Sequence, residues 1–148
     1  SLVMCFTPGR TVRDDLEIQI GQDPVPALME HFAPRISLAE SRGVRSIAVD
    51  PGLGFFYGSR LDPIRKIQYQ AQVLLHSFRL RSLGKPICQI MPHGFDIFQE
   101  EYATAEGVFT VLGALGGVGI LRVHEVARVA ASLRLMQAVG VQVPGPVD

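Results

Sequence analysis

The sequence predicts an α/β protein built on a parallel sheet, and three observations carry that expectation. Four short apolar runs recur, each followed by a segment that includes apolar residues at helical spacing, so the order reads β-α-β-α-β-α-β-α. The runs lack polar alternation, as strands covered on both faces do, which favours parallel pairing. The chain is 148 residues long, enough for one domain, and its 47% apolar against 19% charged composition supplies a core.

Residues 1–6, Ser-Leu-Val-Met-Cys-Phe, read as the first strand, closed by Thr7-Pro8-Gly9. Residues 10–22 are polar, mixed in charge and without period, so a loop able to move is expected. Pro26 suits a first helical turn, with Leu28, Met29, Phe32, Ile36 and Ala39 on one face. Pro34 interrupts that face, predicting a kink or two short helices, and Gly43 ends the element. Arg45-Ser46-Ile47-Ala48-Val49 is the second strand and delivers Asp50 to its end.

Asp62-Pro63 is a good N-cap and N1 pair. Ile64, Ile67, Ala71, Leu74, Leu75 and Phe78 follow as the buried face of a long helix that Gly84 stops. Residues 86–91 make the third strand, ended by Pro92-His93-Gly94. A helix over residues 99–115 carries Glu100 and Glu101 at its positive end and is weakened by Gly107 and Gly113. Residues 118–123 make the fourth strand. A last helix over 125–139 turns Val126, Val129, Ala130, Leu133 and Met136 inward, and residues 141–148 form a loose tail.

Composition excludes several function classes. Lys+Arg and Asp+Glu balance at 14 each, so there is no electrostatic case for nucleic acid or an anionic membrane surface. The least polar stretch, residues 108–121, falls short of the ~20 residues a bilayer span needs and is broken by four glycines. Cys5 and Cys88 sit in predicted strands, as reduced core residues, and form neither a metal motif nor a disulfide framework. A soluble, cytoplasmic protein is expected. The chain starts at Ser1 and shows no signal peptide, which suggests a processed or partial sequence.

In a parallel sheet all strand-to-helix loops emerge at one end, so Asp50, His93, Arg122 and His124 converge there although distant in sequence. Asp50-Pro51-Gly52-Leu53-Gly54-Phe55 places a carboxylate at a strand end, then a glycine turn, then the aromatic surfaces of Phe55 and Phe56. Such an arrangement suits a planar heterocycle with N–H donors; equally, Asp50 can cap the next element and the glycines can make only a tight turn. In Arg122-Val123-His124 the alternation sends Arg122 and His124 the same way, and the next helix adds oriented N–H groups, which suits a phosphate or diphosphate. The other reading is a structural ion pair for Arg122 and a turn position for His124.

Those two segments, with their spacing, the Gly-Lys-Pro entry to the third strand and a glycine-rich approach to the fourth, resemble signature segments of dihydropteroate synthase, a pterin-binding (β/α)8 barrel of folate biosynthesis. The resemblance implies that the chain is four β/α units of a TIM-barrel-type sheet, the C-terminal half, over residues 1–140. It implies that Asp50 accepts hydrogen bonds from the pterin, that Gly54 and Phe55 line the pocket, and that Arg122 and His124 hold the diphosphate. The implied reaction joins p-aminobenzoate to 6-hydroxymethyl-7,8-dihydropterin diphosphate with Mg²⁺, whose ligands lie outside this chain.

Two departures stand beside the resemblance. The family's Ser-Arg-Lys motif after the penultimate strand is replaced by Pro92-His93-Gly94, leaving His93 as a partial substitute or a plain turn residue. A complete barrel needs ~250 residues, so an N-terminal half-barrel or a homodimer is the expected partner. The alternatives are a non-catalytic pterin-binding or assembly module and a relative of pterin-dependent methyl transferases.

Overall fold

Parallel pairing organises the molecule, as the lack of polar alternation predicted. A computed structural model describes residues 1–7, 22–54 and 62–142. Strand β1 (Leu2–Cys5) lies beside β2 (Ile47–Asp50) in register from Leu2↔Ile47 to Cys5↔Asp50. Strand β3 (Cys88–Ile90) lies beside β4 (Ile120–Arg122) from Cys88↔Ile120 to Ile90↔Arg122. A parallel bridge between Val49 and Ile87, with the Val49 amide donating to the Pro86 carbonyl at 3.0 Å, joins the two pairs. The strands therefore stand in the order of the sequence and all point one way.

Helices follow the strands: α1 (Val25–Ser41), α2 (Pro63–His76), a short α3 (Phe95–Phe98), α4 (Tyr102–Leu115) and α5 (Val126–Ala138). The core lies where α1, α2 and α4 meet the sheet, and Leu28, Phe32, Val49, Leu74, Met91 and Phe109 are all buried in it. Asp62 caps α2 as its sequence predicted, accepting the Arg65 amide at 3.0 Å. Close helix packing is set by Gly116, where a Cβ would land on the Leu74 carbonyl oxygen. None of the helices among the described residues is long and apolar enough to cross a membrane.

Several expectations are corrected. Pro34 does not divide the first helix; α1 runs continuously through it and buries Val25, Leu28, Phe32 and Ile36. One missing N–H is a local cost that the packing of that face outweighs. The buried face of α2 is shifted from the one expected: Leu74 is buried and Ile67 packs on the core as predicted, but Ile64, Leu75 and Phe78 are exposed while Gln70 and Val73 are buried. After His76 the chain tightens into a 3₁₀ segment, Ser77–Leu83, which brings Ser77 and Leu80 inward and sends Phe78 out. In α5, Val126 is exposed, and Val129 and Met136 make the buried contact.

Strand burial is also uneven. All of β2 is buried, but Val3 in β1 is 54% exposed and Ile120 in β4 is 44% exposed. The reason is position: β1 and β4 are the outer strands of the set, and nothing among the described residues covers their open side. The expected loop over residues 10–22 lies outside the described residues except for Gln22, as does all but the start of the expected tail.

Candidate functional site at the strand C-termini

Parallel pairing fixes the address of the site, since Cys5, Asp50, Ile90 and Arg122 all end their strands on one side of the sheet. A cavity of about 550 Å³ opens there. Its wall includes Gly54, Lys66, Gln70, His93, Arg122 and His124. These come from four segments, the ends of β2, β3 and β4 and the helix α2, and the predicted residues Gly54, His93, Arg122 and His124 are brought together. Phe55 lies outside the described residues.

Asp50 is placed differently from its partners. It is 3% exposed, and it is not among the described residues that line the cavity. One carboxylate oxygen, Oδ1, accepts the Gly52 amide at 2.8 Å, and Gly52 holds φ at 83°, a backbone conformation natural to glycine. Asp50 thus holds the tight turn that follows it, and among the described residues Oδ2 has the Cys5 sulfur at 3.9 Å. Burial pushes the Asp50 pKa above the usual carboxylate range, opposed by the Gly52 amide and by the positive charge of Arg122. The turn itself is fastened from behind: the Gln70 side-chain amide donates to the Leu53 carbonyl at 3.0 Å.

Cys5 and Cys88 are free thiols, Cys88 buried and Cys5 half-buried. Burial, then the Asp50 charge, raises both pKa values, so both stay protonated and unreactive near neutrality.

At the other end of the cavity a second polar group is tightly assembled. His93 Nε2 lies 2.7 Å from His124 Nδ1, and the ring centroids are 4.1 Å apart. Beneath them is Glu106 of α4, fully buried. Its Oε1 accepts the His124 amide at 2.8 Å and lies 3.3 Å from His124 Nδ1, while its Oε2 accepts the Glu125 amide at 2.8 Å. The Glu106 carboxylate thus holds the His124 and Glu125 amides just ahead of α5, and among the described residues no side chain caps the first turn of the helix itself. Glu106 escaped the sequence reading; the signal for it was a lone acid among the apolar residues of α4. His93 is not a bare solvent-facing turn residue, because its ring is half-buried against His124 and Tyr102.

Lys66 was missed for a different reason. It belongs to α2, well before the third strand, yet it lines the cavity with its ammonium 3.7 Å from Asp96. A cation therefore stands in the cavity even though no lysine follows Pro92-His93-Gly94.

Among the described residues, the one converging donor set does not suit magnesium. Among the described residues, the group whose ligand atoms converge within 4.8 Å of one another is His93, Glu106 and His124. Magnesium takes oxygen ligands and water in a strict octahedron, and two imidazoles do not suit it.

The fold and cavity define a class: a set of parallel β/α units carrying a polar site with cationic groups at the strand C-termini. Comparison with known proteins narrows that class. No family model matches the chain. It is 29% identical over 124 residues to dihydropteroate synthase of Bacillus subtilis, covering 78% of this chain and 41% of that protein. The Xanthomonas albilineans dihydropteroate synthase in complex with 7,8-dihydropteroate superposes with a TM-score of 0.69 at 25% identity, over 95% of this chain and 50% of that one. The Stenotrophomonas maltophilia enzyme shares the fold, with a TM-score of 0.71 at 21% identity, 95% of this chain and 54% of that one. The chain spans about half the length of the relatives it matches, and it is a partial, divergent relative of dihydropteroate synthase.

Proposed function

We propose that the cavity binds a pterin diphosphate and that the chain is the C-terminal half of a dihydropteroate synthase-like transferase of folate biosynthesis. The observation that carries the reading is the shared end of Asp50, Arg122 and His124, with a cavity between Gly54 and the last two. Asp50, buried at the strand end beside the cavity, accepts the N–H groups of the pterin ring in this reading once the turn after β2 yields to the ligand. Arg122 and Lys66 offer positive charge to the diphosphate as it leaves and the amine of p-aminobenzoate forms the new C–N bond. His124 contributes its ring, held in place by Glu106. Mg²⁺, in this reading, is bound with the complementary half, which also covers the open sides of β1 and β4. That half is an N-terminal half-barrel or a second copy of the chain.

One observation favours a second reading. Pro92-His93-Gly94 stands in place of the family's lysine-bearing motif. That suits a pterin-binding module that no longer transfers to an amine. Incorporation of p-aminobenzoate by the assembled protein separates the two, since a module gives none.

Calorimetric titration tests the pocket. Losing one charged hydrogen-bond donor removes about 1.5–3 kcal/mol, so Arg122→Ala should weaken pterin diphosphate binding by roughly tenfold or more. Binding of the bare pterin should change much less. Equal losses for both ligands would contradict a diphosphate contact at Arg122.

A further inference from the structure

We propose that His93, His124 and Glu106 form a binding site for a borderline divalent transition-metal ion of the zinc class, open to the cavity on its remaining side. The inference concerns this trio alone and stands whether or not the cavity takes a pterin.

Geometry is the first argument. Ligand atoms at ~2.0–2.2 Å from a tetrahedral zinc ion lie about 3.3 Å from one another. Here the three edges are 2.7 Å (His93 Nε2 to His124 Nδ1), 3.3 Å (His124 Nδ1 to Glu106 Oε1) and 3.8 Å (His93 Nε2 to Glu106 Oε1). They bracket the required spacing, and a side-chain shift of about half an ångström at His93 equalises them. For metal entry the ring that donates the shared proton changes tautomer, moving that proton to its outer nitrogen, so both facing nitrogens present lone pairs and each ring keeps one N–H turned away from the ion.

Preorganisation is the second argument. Glu106 is fully buried and its two oxygens are aimed by the His124 and Glu125 amides, the kind of supporting bonds that orient a ligating carboxylate. His93 and His124 both line the cavity, so the open coordination position faces it.

Charge is the third. The fully buried Glu106 carboxylate beneath the two imidazoles places an acidic ligand where a divalent ion would sit. The donor set, two imidazoles and one carboxylate, is that of catalytic zinc and related ions rather than of magnesium or calcium.

The test is titration of the tag-free protein with Co²⁺, read by visible ligand-field absorption and by calorimetry. We expect one ion per chain, and at least about a tenfold loss of affinity in His93→Ala and in His124→Ala. The His31→Gln/His76→Ala double variant, which removes the other two histidines of the chain, should bind as the parent does. Glu106→Gln should weaken binding too; should it fail to fold, the largely accessible His124→Ala and His93→Ala variants still decide the matter. Absence of stoichiometric uptake, unchanged affinity in both single histidine variants, or a thiolate charge-transfer band pointing to Cys5 and Cys88 would each overturn the proposal.

Discussion

The two ends of the cavity are built on opposite plans. At the end of β2 the bonding is mostly local: Asp50 caps its own turn through Gly52, and among the described residues Gln70 reaches across to fasten it. At the ends of β3 and β4 nothing is local. His93, Glu106 and His124 come from a strand end, a helix and a second strand end, and each needs the other two. A local turn survives changes elsewhere, whereas a three-part corner depends on the packing of α4 against α5. The lesson is that a turn can be specified by a few adjacent residues, but a buried acid serving two histidines requires the whole fold to be in place.

The sharpest way to break that contrast is Glu106→Ala. It strands the His124 and Glu125 amides, at about 1–3 kcal/mol for each buried donor left unpaired. Thermal unfolding should show the largest loss of any variant discussed here, and amide exchange at the start of α5 should speed up while that at β2 stays slow. Uniform loosening of both ends would deny the corner its independence.

Gln70→Leu probes the other end. The Leu53 carbonyl loses its partner, costing about 1–3 kcal/mol. One bond is lost rather than two, so the drop should be smaller than for Glu106→Ala, with altered amide shifts confined to residues 51–54. A change reaching His124 would show the two ends to be mechanically coupled.

Asp50→Asn should have the smallest effect and the opposite sign. Burial raises the Asp50 pKa, so the folded state holds that proton more tightly than the unfolded chain does. The associated stabilisation is complete below the unfolded carboxylate pKa and fades as pH rises through the folded value. Asparagine keeps an acceptor for the Gly52 amide and has no charge to desolvate. The variant should therefore match the parent in acid and melt slightly higher near neutrality, measured by calorimetry across pH. A lower melting temperature at neutral pH would mean that the ionised form is the one the fold favours.

The same contrast decides what the sequence could tell. Asp50, Gly54, Arg122 and His124 were legible because strand ends in a parallel sheet share an address once the β/α order is read. Glu106 was not, because its value lies in touching residues 18 and 19 positions further on, after an intervening turn and strand. Lys66 was missed because a helix side chain reached a cavity otherwise made by strand ends. The α1 helix ran through Pro34, and α2 buried Leu74 as expected but added Gln70 and Val73 in place of Ile64 and Leu75, because tertiary packing outweighs local propensity at single residues. The exposed faces of β1 and β4 could be anticipated only from length, as open sides of an unfinished sheet.

The central claim is that both ends of the cavity serve one ligand. Titration with a pterin diphosphate, followed residue by residue through backbone amide NMR shifts, tests it most directly. The account predicts that Gly52 and Gly54 at one end and His124 and Glu125 at the other shift together, with a single midpoint. Movement at only one end, or two separate midpoints, would contradict it.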